Sequence, residues 1–202
     1  MTILRAVILA LCVCSPLSAQ FVGAGFQVVR SDQIDMRGSR GPALRFGFGP
    51  IDLRYDYLVA HGQRFDYPCG GGFIPPGCVQ ETIDYSSHVH SIFLGARARL
   101  LSRGSFDLFV LPEVGLTSGT FAKQSTTGPQ SASSSGYNLG AGAAVELAAS
   151  RLRGTAIGGW IAARFRGFVA PGSYAVDGFE PHRQQHWIGS VELGVRYGLQ
   201  PR

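Results

Sequence analysis

The chain has 202 residues, of which 15% are charged and 11% aromatic, with 28 glycines and a formal charge of +5. Soluble domains carry about 25% charged residues, and the small excess of Lys and Arg forms no basic stripe, which argues against a nucleic-acid partner. Of the four cysteines only Cys69 and Cys78 lie beyond the first 19 residues, and no His or Cys cluster completes the four ligands that zinc needs. No metal or other cofactor is expected.

Arg5 precedes an apolar run over residues 6–13, followed by Ser15-Pro16 and the small-residue stretch Leu17-Ser18-Ala19. A charge, a short apolar core and a small residue at the cut predict a signal peptide over residues 1–19. The run is too short for a membrane-spanning helix, which needs about 20 apolar residues. A lipoprotein signal fits poorly, because Leu11 and Val13 are large where a small residue should precede Cys12 or Cys14. Residues 20–202 are then one exported domain.

Eight strands are predicted in chain order: residues 21–30, 42–48, 51–65, 81–100, 106–123, 137–149, 155–169 and 184–199. A polar loop over 31–40 joins the first two, and Gly49-Pro50 turns the chain tightly into the third. The Gly-Pro-rich segment between Cys69 and Cys78 forms no regular element. In an exported protein a Cys69–Cys78 disulfide is expected to clip it, worth about 2–3 kcal/mol for so short a ring. A short turn follows at residues 102–104, and the Ser, Thr, Gly and Pro of 124–136 read as a flexible loop. Residues 150–154 turn the chain again, and a last long loop spans 170–183. Long connections follow odd strands and short ones follow even strands, so all long loops leave one end. Transmembrane β-barrels sort their loops in this way.

Along every strand the residues alternate. In the last one Trp187, Gly189, Val191, Leu193, Val195, Tyr197 and Leu199 share one parity, while Glu192 and Arg196 fall on the other. Side chains of a strand point to opposite faces with a period of two. One face also carries Phe46, Phe48, Tyr55 and Tyr57, bulky aromatics suited to a membrane interface. The other carries small residues, among them Gly23, Gly25, Gly140, Gly142, Ala144, Gly194 and Gly198, together with nearly balanced charges. These are Arg45, Arg54, Arg97, Arg99, Arg164, Arg166 and Arg196 against Asp52, Asp56, Asp107, Glu113, Glu146 and Glu192. Facing lipid at mid-depth, each arginine would cost about 2–4 kcal/mol, and seven together would exceed a domain's stability of about 5–15 kcal/mol. In a membrane these charges must point inward and bind one another. Across the turn near Arg103, Arg99 is expected opposite Asp107, and Arg45 within diagonal reach of Asp52 and Asp56. The alternative is a soluble, lipocalin-like barrel that buries the apolar face around a ligand and wets the charges.

With export signal, alternating strands, balanced lumen and sorted loops in place, the chain resembles the small eight-stranded outer-membrane barrels, the OmpA transmembrane domain and OmpX. The resemblance covers residues 21–199 and implies an all-β, eight-stranded antiparallel up-and-down transmembrane barrel, monomeric in the outer membrane with its long loops outside. The stretch Glu192-Leu193-Gly194-Val195-Arg196-Tyr197-Gly198-Leu199 resembles the closing signal that barrel-assembly machinery reads in such proteins. Many members end at an aromatic residue, whereas here Gln200-Pro201-Arg202 follows. Arg30, Arg37, Arg40, Arg64, Lys123 and Arg183 lie near the long-loop end, where anionic groups of lipopolysaccharide could pair with them.

Some barrels of similar architecture deacylate lipid A with a serine, a histidine and a carboxylate. Here Ser87-His88-Val89-His90-Ser91 puts both histidines on one face and Ser87 and Ser91 on the other, so no serine–histidine pair forms within a regular strand. Ser86 shares the histidine face, in an order unlike that of the deacylases. His88 and His90 read instead as an upper rim where rings meet headgroups. His61, His182 and His186 lie near the loop end without metal-ligand spacing. The expected role is non-enzymatic, structural or interactive through the loops. The alternatives are a narrow ion or solute channel and a lipid A-modifying enzyme.

Overall fold

The computed structural model describes residues 20–31, 38–66, 81–125, 131–149, 156–169 and 185–199. They form β1 Gln20–Ser31, β2 Arg40–Phe48, β3 Ile51–Asp66, β4 Glu81–Ala96, β5 Ala98–Arg103, β6 Phe106–Ser125, β7 Ser131–Ala149, β8 Ile157–Val169 and β9 Gln185–Leu199. All pairings are antiparallel, in the order β4-β3-β2-β1-β9-β8-β7-β6-β5, and β4 also pairs with β6, which closes the sheet. The predicted strand over 81–100 is interrupted at Arg97, whose N–H donates to the Pro50 carbonyl at 2.6 Å. Consequently β4 and β5 are two parts of one stave. Eight staves make a closed up-and-down barrel, the fold class that the alternation predicts.

Following one row of paired residues around the barrel gives its stagger. From Ser118 on β6 the row passes His90, Tyr57, Pro42, Phe26, Leu193, Ile161 and Leu147, then returns to β6 at Leu108, ten residues lower. With a rise of about 3.3 Å per residue and strands about 4.8 Å apart, that shear tilts the staves by roughly 40°. It also brings Arg30, Arg40, His90 and Trp187 to one level, roughly 20–25 Å above Phe48, Leu108 and Tyr197.

The pleat sorts the side chains by chemistry. Leu193 is 67% exposed, while its neighbour Glu192 is 0% exposed. The same inversion runs through β2, where Leu44, Phe46 and Phe48 face out while Ala43, Arg45 and Gly47 face in. Between the two levels above, no Asp, Glu, Lys or Arg of the described residues stands on the outer face. An uncharged outer band about 25 Å tall is what a membrane-spanning barrel presents to lipid. The apolar face is on the outside, so the soluble arrangement with an apolar cavity does not apply.

Gly49 and Gly104 hold positive φ (57° and 60°) at the first position of two-residue turns after β2 and β5. Only primed turns match the twist of a hairpin so short, and glycine adopts that φ without strain. At the opposite end one side of the barrel rises above the other. Residues 60–66 of β3 and 131–138 of β7 extend past their pairings with β2 and β8, while β3, β4, β6 and β7 stay paired with one another. Asp66↔Glu81 lies nine residues beyond Tyr57↔His90, or about 20 Å above the top of the belt. Much of the segment 124–136, expected as a loop, is therefore strand, with Gln124 paired to Ser131. Composition misleads there, because Ser and Thr suit a hairpin whose faces are both wet as well as they suit a loop.

Candidate functional site

Arginine and carboxylate side chains fill the middle of the lumen as two closed circuits. In the upper circuit Arg54 donates to Glu192, and its Nε lies 2.6 Å from Asp56. Asp56 accepts from Arg166 at 2.8 Å, and Arg166 also donates to Glu113 at 2.5 Å. Glu113 accepts from Arg164 at 2.9 Å, and Arg164 donates to Glu192 at 3.0 Å, which returns to Arg54. Three guanidiniums alternate with three carboxylates, and Gln27 accepts a further bond from Arg54 at 3.0 Å. The lower circuit has four members. Arg45 donates to Asp52 and, at 2.5 Å, to Glu146. Arg97 donates to Glu146 at 2.6 Å and lies 4.0 Å from Asp52.

Both circuits brace the barrel across its width. Arg54 and Asp56 stand on β3 while Arg164 and Arg166 stand on β8, four staves away in an eight-stave ring. Arg45 and Glu146, on β2 and β7, are likewise opposite. Each circuit is neutral as a unit, and the fork geometry of arginine lets one guanidinium reach two carboxylates. Breaking one is costly, because the partner left behind is a desolvated charge.

Three expected lumen members, Arg99, Asp107 and Arg196, stand outside the two circuits. Arg99 is 3.9 Å from Asp107, but its side chain is 60% exposed and the pair sits at the lower rim. The cause is an irregularity between Arg99 and Leu101, which sets Arg99 opposite Phe109 and Ser102 opposite Asp107. Arg196 points inward beneath the lower circuit, with a 3.5 Å bond to the Ala149 carbonyl and its guanidinium 5.6 Å from the Phe21 ring.

Aromatic rings bound the charges from below and apolar side chains from above, and the sequence pattern did not single out either layer. Arg45 lies 5.0 Å from the Trp160 ring, and Arg97 lies 4.1 Å from Phe109 and 4.8 Å from Phe21. Trp160 explains two glycines of the inner face: a Cβ at Gly23 or Gly194 would come within 2.7 or 2.2 Å of its indole. Above, Val29, Leu58, Val89, Phe93, Phe168 and Ile188 form one buried cluster, and Phe93 lies 3.8 Å from the Arg166 guanidinium. The signal for both layers was parity, since Trp160 and Phe168 share theirs with Arg164 and Arg166.

On the outer face Tyr55 bonds His90 Nδ1 at 2.7 Å and Tyr57 bonds His88 Nδ1 at 2.8 Å. Ser87 and Ser91 point inward, Ser91 accepting from Thr117 at 3.0 Å, so the serines and histidines of this segment are on opposite sides of the wall. Of the rim cations, Arg30 and Arg40 are exposed. Arg37, Arg183, His182, Cys69, Cys78 and the 1–19 segment lie outside the described residues.

No family model matches the chain, and no curated protein matches it in sequence. Solved structures do resemble it. A major outer membrane protein from Thermus thermophilus superposes with a TM-score of 0.51 at 14% identity, over 90% of this chain and 99% of that one. The N-terminal β-barrel domain of Pseudomonas aeruginosa OprF gives 0.49 at 9% identity, over 89% and 99%. Ail, the attachment invasion locus protein of Yersinia pestis, gives 0.43 at 19% identity, over 90% and 97%. The fold of this chain is that of the small eight-stranded outer-membrane β-barrels.

Proposed function

We propose that the protein is a bacterial outer-membrane barrel, exported by the 1–19 signal peptide, that serves as a closed anchor for its external loops. One observation carries this: an uncharged outer belt surrounds a lumen filled by neutral ion circuits under an apolar layer. The raised wall of β3, β4, β6 and β7 supports the same role, because the strand ends that flank the connections at 67–80 and 126–130, Asp66, Glu81, Ser125 and Ser131, stand well above the belt. A Cys69–Cys78 disulfide would stiffen the first of these connections. Loops on a rigid scaffold are where recognition concentrates. Barrel-assembly machinery is the expected folding partner, acting on a monomer, and lipopolysaccharide is the expected neighbour of Arg30 and Arg40.

Refolding the mature chain in detergent and comparing boiled with unboiled samples on an SDS gel tests the barrel. A heat-dependent mobility shift is expected, and a compact monomer that folds in plain buffer would overturn it. Planar bilayer recordings should show no discrete openings. Steady single-channel steps would favour a narrow channel instead. A lipid A-modifying activity has no support from the outward histidines and the inward Ser87 and Ser91, and mass spectra of lipid A should be identical with and without the protein.

A further inference from the structure

Among the described residues, a cluster of polar rings interrupts the apolar belt. Tyr55 and Tyr57 on β3 and His88 and His90 on β4 face outward at its upper margin, with the Tyr57 and His90 rings 4.8 Å apart. His61 stands above them, its ring edge-on to His88 at 5.9 Å. Each tyrosine hydroxyl engages the Nδ1 of one histidine. A hydroxyl donating to Nδ1 leaves the ring proton on Nε2, and an imidazolium also carries a proton there. When the hydroxyl is the donor, each ring carries its proton on Nε2, and among the described residues neither Nε2 has a hydrogen-bond partner. Exposed Arg40 lies on the same row, with Arg40 paired to Val59 and Val59 to His88. The nearest carboxylate on that face of β4 is Asp84, four residues above His88.

Polar donors left unpaired against hydrocarbon are costly. Donors at the headgroup margin meet water and the oxygens of the lipids, and oxygens of an anionic phosphate are the strongest acceptors among these. We propose that the Tyr–His ladder, with Arg40, binds the phosphate of an outer-leaflet lipid. His88 and His90 donate through Nε2, Tyr55 and Tyr57 fix which nitrogen carries the proton, and Arg40 supplies the fixed positive charge. The site rests on the membrane placement proposed above and names the lipid chemistry that the barrel selects around its rim.

The test uses the refolded full-length mature protein in phosphatidylcholine nanodiscs doped with lipid A or with the same glycolipid stripped of phosphate. Retained lipid is counted by native mass spectrometry after transfer to detergent. The wild-type protein should retain the phosphorylated form about tenfold better. A His88→Phe/His90→Phe double variant should lose that preference, and Tyr55→Phe/Tyr57→Phe should lose part of it. Unchanged preference in the histidine variant would overturn the proposal. So would displacement of the lipid by millimolar inorganic phosphate, which would mark a site for the free ion. Each sample is also checked for the heat-dependent gel shift. Its absence in the wild type would mean that the barrel assignment has failed, whereas its presence with no phosphate preference would count against the ladder alone.

Discussion

The lumen is closed twice, by different physics. The middle is sealed by charges that neutralise one another, and the top by Val29, Leu58, Val89, Phe93, Phe168 and Ile188 packed together. The apolar layer can lose a methyl and relax toward its neighbours. The ionic circuit cannot, because each member holds two others and a missing partner leaves a charge out of water. Charge gives a seal that is specific but brittle, while the apolar layer is less specific and more forgiving.

The largest effect should come from the circuit. Glu192 accepts from both Arg54 and Arg164, so Glu192→Ala should cost about 3–5 kcal/mol of unfolding free energy. The midpoint of the heat-dependent gel shift in urea measures it. A charge-neutral Arg164→Met/Glu192→Met pair should recover most of the loss, and no recovery would mean that the cost was one of volume rather than charge. In the apolar layer, Leu58→Ala should cost about 2–4 kcal/mol, with no rescue by any charge change. On the outer belt, Leu193→Arg should cost about 2–4 kcal/mol in a bilayer and much less in a detergent micelle that deforms around the new charge. The smallest effect is expected at the lower rim. Arg99→Ala should shift stability by at most about 1 kcal/mol, because the Arg99 side chain is largely solvated and lies 3.9 Å from Asp107. A larger change would place that pair inside the seal.

Much of this contrast was legible in the sequence. Parity alone separates Glu192 from Leu193 and assigns every arginine of the two circuits to the inner face, since a period of two leaves no other choice once one face is apolar. The partners were not legible. Arg54 meets Glu192 across 138 residues and Arg166 meets Asp56 across 110, distances set by the shear of the closed barrel, which no single hairpin encodes. Local irregularities were hidden for the opposite reason. The interruption at Arg97 and the shift between Arg99 and Leu101 depend on a bond to Pro50 and on neighbouring registers, and so they displaced the expected Arg99–Asp107 alignment. Trp160 could be placed by parity, yet only the surrounding glycines reveal that it lies across them.

The upper circuit also sets an order of events. Its members come from β3, β6, β8 and β9, and Glu192 belongs to the strand that closes the barrel onto β1. Until β9 pairs with β1, Arg54 lacks the carboxylate that it shares with Arg164, and an open sheet entering lipid would carry that cation in short of a partner. In a bilayer, insertion and closure would then be coupled: the ninth strand supplies the missing counter-charge at the moment it supplies the missing edge. A chain truncated before β9 should stall at the membrane surface rather than enter it half-built.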